Sequence, residues 1–177
     1  MRHSRQEAAE TRTRIVATAS RQFRAKGVHA TGLAEVMEQA GLTHGGFYRH
    51  FVSKDQLVAE ALDVAWTEGM TEMGTDTLDP AAFIARYLSP QHRDNASRGC
   101  PLAALGSELA RADDATRHAA MNGFAALAGR VAGGEVEDRH LAIASLLVGA
   151  VTMARIAQDP AASASILRAA LDAATRL

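Results

Sequence analysis

Between almost every pair of Gly or Pro breakers in this chain, apolar residues recur at intervals of three and four, while alternating runs of β-branched residues are nearly absent. That spacing lines apolar side chains along one stripe of a 3.6-residue helix, so the chain reads as all-α. Its 177 residues, 47% hydrophobic and 22% charged, hold enough apolar mass for a packed core and exclude a disordered chain. They fit one large domain or two small ones. The single cysteine, Cys100, makes no internal disulfide and suits a reducing cytoplasm. The opening "MRHSRQEAAETRTR" is charged and lacks the apolar stretch of a signal peptide. The longest apolar run, residues 141–154, falls short of the roughly 20 residues that cross a bilayer, so no membrane partner is expected.

Breakers and caps divide the chain. Ile15, Ala19 and Phe23 mark a first helix that Lys26 and Gly27 end. Thr31 is the expected N-cap of a second, with Leu33, Val36, Met37 and Ala40 on one face and Gly41 as its stop. Thr43 is the expected cap of a very short third helix through Phe51. "SKDQ" at 53–56 forms a capping box before a long fourth helix bearing Leu57, Val58, Ala61, Leu62, Ala65 and Trp66. Asp79 and Pro80 introduce a helix that buries Phe83, Ile84, Tyr87 and Leu88, and Pro90 is read as its end, with a polar loop "QHRDNASRG" beyond. Further helices are expected near 101–111, 114–131, 137–157 and 161–175.

A net charge of −1 conceals a division. Residues 1–58 carry nine Lys or Arg against five Asp or Glu, a balance of +4, which leaves −5 for residues 59–177. A basic segment on an acidic body is the pattern of a chain that meets a polyanion at one end. Within the basic segment, two helices separated by a turn at Gly41, the second of them short, make a helix-turn-helix. On that short helix Phe47 and Phe51 share the inner side; Gly45, Tyr48 and Arg49 look outward, with His44 at the leading edge. Glycines in the first turn let backbone N–H groups and the positive end of the helix dipole approach a phosphate or a base edge.

Through "FRAKG", Thr31 before "LAEVMEQAGL", and "THGGFYRHFVSKDQL", residues 1–66 resemble the N-terminal domain of the TetR family of transcriptional regulators. The resemblance implies a three-helix DNA-binding domain over residues 1–58, its fourth helix continuing to about 73 as a connector, and a helical ligand-binding and dimerisation domain over 59–177. It implies that Tyr48 and Lys54 meet DNA phosphates and that Thr31 binds another through its hydroxyl or its N–H. Thr43, His44, Gly45, Gly46, Arg49 and His50 complete the expected DNA-binding set, with His44, Arg49 and the backbone at Gly45 and Gly46 toward base edges. Two departures, Gly32 in place of a second hydroxyl residue and Gly46 in place of a small side chain, predict sparse side-chain readout. The implied partners are a double-stranded operator, a small-molecule effector and a second copy of the chain. Function is then repression relieved by the effector, with no enzyme activity and no cofactor, in the cytoplasm.

For the effector, the large apolar or soft residues of the body that offer a lining are Trp66, Met70, Phe83, Tyr87, Met121, Phe124 and Met153. Cys100 joins them as a thiol whose pKa a helix N-terminus and Arg98 would lower, which would make it a sensor. The expected dimer strips are Leu141, Ala144, Val148, Val151 and Arg155, then Ile166, Ala169, Ala170 and Ala173. Two other classes share features with this sequence. One is a helical interaction or sensor module without DNA binding, which the two glycine departures favour. The other is a bundle metalloenzyme built on Glu137 and His140 of "EDRH", but a di-iron bundle needs a second Glu-x-x-His and the sequence has none.

Overall fold

The computed structural model describes residues 2–73 and 79–177, and among these there is helix and no strand. The helices are α1 (Arg2–Lys26), α2 (Leu33–Gln39), a 3-10 helix (His44–Arg49), α3 (Lys54–Glu72), α4 (Pro80–Tyr87), α5 (Pro90–Asp94), α6 (Pro101–Leu109), α7 (Asp114–Ala132), α8 (Asp138–Ile156) and α9 (Pro160–Ala174). All four prolines of the chain stand in the first turn of a helix, where a missing N–H costs nothing. Ser53, Asp79, Ser89, Asp113 and Asp159 each accept a backbone N–H of the helix that follows. Gly27, Gly41 and Gly133 take positive φ where α1, α2 and α7 end.

Several local expectations change. The N-cap of α2 is Gly32, while Thr31 is fully buried and its hydroxyl donates to the Gly27 carbonyl at 2.7 Å. The side chain of Gln56 reaches back to the N–H of Val52, one residue before the cap. Pro90 starts α5 instead of ending α4, which stops at Tyr87 with Leu88 as its cap. α8 as a whole, 19 residues with a mean hydropathy of 1.3 over its most apolar window, is long and apolar enough by length and composition alone to cross a bilayer. Its Ala144, Leu147 and Val151 lie in the core among α7 and α9, as in a core helix.

The chain has two apolar cores that share α3. One gathers Phe23, Met37, Phe47, Phe51 and Leu57 with Leu105, Leu109 and Ala120 from α6 and α7; the other gathers Phe83, Tyr87, Leu127, Leu147 and Leu167. α3 leans on α7 where the Trp66 indole lies against Gly123, so closely that a Cβ there would stand 1.7 Å from the ring. His92 on α5 is buried against Tyr87, at 7% exposure. The Cys100 N–H donates to its Nε2 at 2.9 Å, so Nδ1 carries the proton and donates to the Tyr87 carbonyl at 2.6 Å. Gly99 makes the fit possible, since a Cβ there would lie 2.8 Å from the imidazole.

Burial, seconded by the charges of Arg155 and Arg86 and opposed by the Tyr87 carbonyl, lowers the His92 pKa from 6.5 to about 4. The unfolded chain therefore binds this proton more readily than the folded one. Stability is complete above about pH 6.5 and declines as pH falls toward 4, by on the order of 3 kcal/mol. Denaturant unfolding at pH 7 and pH 5 should show about 2 kcal/mol of this loss in the unsubstituted protein and a smaller loss in His92→Gln. Equal losses in the two would contradict the assignment.

Candidate nucleic-acid interface

The short helix after Gly41 is too brief and too rich in glycine to complete α-helical turns, and it forms as a 3-10 helix. Gly46 N–H donates to Thr43 and His50 N–H to Phe47, both three residues back; only the last bond, from Phe51 N–H to Phe47 at 3.1 Å, spans four. That final α-type turn brings the rings of Phe47 and Phe51 into a stack, 5.4 Å between centroids and 23° between planes. Both are buried, at 0% and 2% exposure. Their burial decides which side of the helix meets solvent: Thr43, His44, Gly45, Tyr48 and Arg49 are exposed, with Gly46 and His50 at the margin. Tyr48, 70% exposed, rests edge-on against Phe47 and offers its hydroxyl outward. No side chain or backbone of the fold occupies the space beside Gly45, so bare backbone is available to an incoming duplex.

The back of this helix is held by Arg12 of α1, a residue sequence reasoning passed over. Its guanidinium stacks 4.5 Å from the centre of Phe51, donates to the His50 carbonyl at 3.4 Å and pairs with Glu60 of α3. The bond to Glu60 raises its pKa, so the charge is permanent. Its target is fixed only by the closing of α1 on α3.

Two expected phosphate contacts turn inward. Lys54 gives two of its three donors to the carbonyls of Val28 (2.6 Å) and Thr31 (2.7 Å), because the turn after α1 leaves those oxygens without helical partners. Thr31, with its hydroxyl on Gly27, has no exposed surface. Lys54 and Thr31 brace the turn between α1 and α2, and the exposed set lies on and just before the 3-10 helix.

In the body, Phe83, Tyr87 and Cys100 are buried in the core, and Trp66, Met70 and Phe124 pack half-buried against it. Met121 and Met153, 59% and 53% exposed, face outward, so they do not line the interior as expected. Cys100 does cap α6, but it is 1% exposed and burial raises its thiol pKa, while Arg98 turns to Glu72. This is a protected thiol, the opposite of a sensor. Of the expected dimer strips, Ala144, Val151 and Ala170 are buried within the chain, and Arg155 donates to the His92 and Arg93 carbonyls. Leu141 and Ala169 are exposed, and Val148, Ile166 and Ala173 half so. The outer face of α8 instead carries Leu141, Ala142, Ser145, Gly149, Met153 and Ile156. Glu137 and His140 answer each other, the Glu137 N–H donating to His140 Nδ1 at 2.9 Å as a cap of α8. Among the described residues no group of three or more His, Cys, Asp or Glu is placed to hold a metal ion.

A short aromatic-anchored helix set after a glycine turn, with its polar side bare, defines a helix-turn-helix protein. Comparison with known proteins agrees. Residues 15–61 match the model of bacterial regulatory proteins of the tetR family. The uncharacterized HTH-type transcriptional regulator Rv0196 of Mycobacterium tuberculosis is 32% identical over 168 residues, which cover 84% of this chain and 86% of that protein. The probable HTH-type transcriptional regulator ArpR of Pseudomonas putida is 44% identical over 92 residues, half of this chain but only 44% of that protein's length. A crystal structure of a TetR-family transcriptional regulator from Cytophaga hutchinsonii has the same fold, with a TM-score of 0.77 over 97% of this chain and 96% of that one at 20% identity. The chain belongs to the TetR family of transcriptional regulators.

Proposed function

We propose that the chain acts in the cytoplasm as a homodimeric repressor that binds a double-stranded operator and is released from it by a small-molecule effector held in the body. The observation that carries this reading is the burial of Phe47 and Phe51 behind an exposed row of His44, Gly45, Tyr48 and Arg49. One such helix offers too few contacts for selectivity, so two must be presented about one turn of DNA apart. The outer face of α8, apolar at Leu141, Met153 and Ile156 and open at Gly149, supports pairing with a second copy, and exposed Ala162 and Ala169 of α9 extend it. Effector release needs only that the ligand bind better to the conformer whose reading helices are wrongly spaced.

Tyr48 is assigned to a phosphate, and Arg49 to a guanine edge or the backbone. Titration of duplex DNA from upstream of the protein's own coding sequence, at several salt concentrations, tests the assignment. Tyr48→Phe should weaken binding alike on all sequences, and Arg49→Ala should weaken it about tenfold or more. Unchanged affinity in both variants would refute it.

A further inference from the structure

Beyond the apolar core that it shares with Leu105, Leu109 and Ala120, the reading domain is tied to the body by two sets of hydrogen bonds, both on the stretch from Gly99 to the end of α6. At the first, Arg24 of α1, with no exposed side-chain surface, donates to the Gly99 carbonyl (3.1 Å), the Ala65 carbonyl (3.4 Å), Ser20 and Glu68. At the second, about 13 Å along the helix, the Glu108 carboxylate accepts the N–H of Val28 (3.1 Å) and the N–H of His29 (2.7 Å) in the α1–α2 turn. The same turn is gripped from within its own domain by Lys54 on the Val28 and Thr31 carbonyls. Gly27 passes Glu108 at positive φ, and a Cβ there would stand 3.0 Å from the carboxylate.

These attachments differ in kind. Arg24 is sealed in, so water does not compete for its bonds. Glu108 stands half-exposed on an open groove of about 390 Å³, beside His29, Lys54, Asp55 and Arg111, where water competes directly. A sealed joint in the loop just before α6 and a wet joint near the end of that helix make a pivot and a latch. We infer that Glu108 is a positioning residue for DNA binding: closed on the Val28 and His29 amides it fixes the angle of the reading domain on the body, and open it lets that domain turn about Arg24. The inference rests on the regulator reading.

The test uses the full chain in three forms: unsubstituted, Glu108→Ala, and Glu108→Gln, which keeps one acceptor oxygen. Spin labels on His44→Cys and Glu135→Cys, in labelled chains diluted with unlabelled ones, report the angle between reading domain and body; buried Cys100 stays unlabelled. Glu108→Ala should broaden the label distance distribution and speed amide exchange at residues 28 and 29 about tenfold. It should also weaken binding to the upstream duplex, with Glu108→Gln intermediate in all three. A sharp, unshifted distance in Glu108→Ala would overturn the latch, and a lowered melting temperature with that sharp distance would mark Glu108 as a stabiliser only. If the unsubstituted protein ignores duplex DNA, the regulator reading falls by itself. The distance distribution then still judges the latch, upholding it if broadened and overturning it if not.

Discussion

Replacing Phe47 with alanine should cost about 3 to 5 kcal/mol of stability and remove DNA binding even where the chain remains folded. The ring is fully buried, stacked on Phe51 and touching Tyr48, so its loss opens a cavity beneath a six-residue helix that has little hydrogen bonding to fall back on. A 3-10 segment with two glycines does not hold its shape in isolation. Denaturant unfolding measures the first effect. Anisotropy with labelled duplex, at denaturant-free conditions where the variant's circular dichroism shows native helix content, measures the second. Phe47→Leu keeps most of the volume and should recover most of the stability and part of the binding. Full DNA affinity in Phe47→Ala would mean that the exposed row does not depend on its aromatic anchor.

The second large effect belongs to Arg24. Its guanidinium lies in the seam between α1, α3 and the loop before α6, where burial lowers its pKa and the Glu68 carboxylate opposes that shift. Arg24→Met should cost about 3 to 5 kcal/mol, because it removes one partner of a buried ion pair and leaves the Gly99 carbonyl dry and unpaired. The Glu68 carboxylate keeps Arg21 at 2.8 Å in that variant, so adding Glu68→Leu should return little of the loss. Chemical denaturation of the two variants checks both statements; a loss below about 1 kcal/mol in Arg24→Met would show that water reaches the seam.

What was legible in the sequence was whatever is decided locally. Asp79 with Pro80, Asp159 with Pro160, and the glycines after α1, α2 and α7 carry their own reasons for ending or starting a helix, and these boundaries fall where expected. The inward Phe47 and Phe51 followed from helical rotation, and the turn type changed only the path by which they meet. Pro90 was ambiguous by its nature: the same missing N–H that halts one helix suits the first turn of the next, and "QHRD" gave no sign that His92 would be buried against Tyr87.

On the α8 strip, Ala144 and Val151 turn inward while Leu141 stays exposed, for a different reason. Nearly every position from 141 to 154 is apolar or small, so a 3.6-residue period has no polar face to contrast with, and any stripe fits. Packing of α7 and α9 selects Ala144, Leu147 and Val151 as the inner one. Lys54 shows the limit of carrying roles across a motif: its charge and position are readable, but its direction depends on the carbonyls that the α1–α2 turn presents. Arg12 and Glu108 escaped because each acts on backbone or rings distant in sequence.

The most direct measurement is a hydroxyl-radical footprint of the protein on duplex DNA from upstream of its own coding sequence. Two short protected patches on one face of the helix, about 34 Å apart and absent with Phe47→Ala, are the expected result. Uniform cleavage at low salt, with saturating protein of native circular dichroism, would contradict the claim that this anchored helix reads DNA.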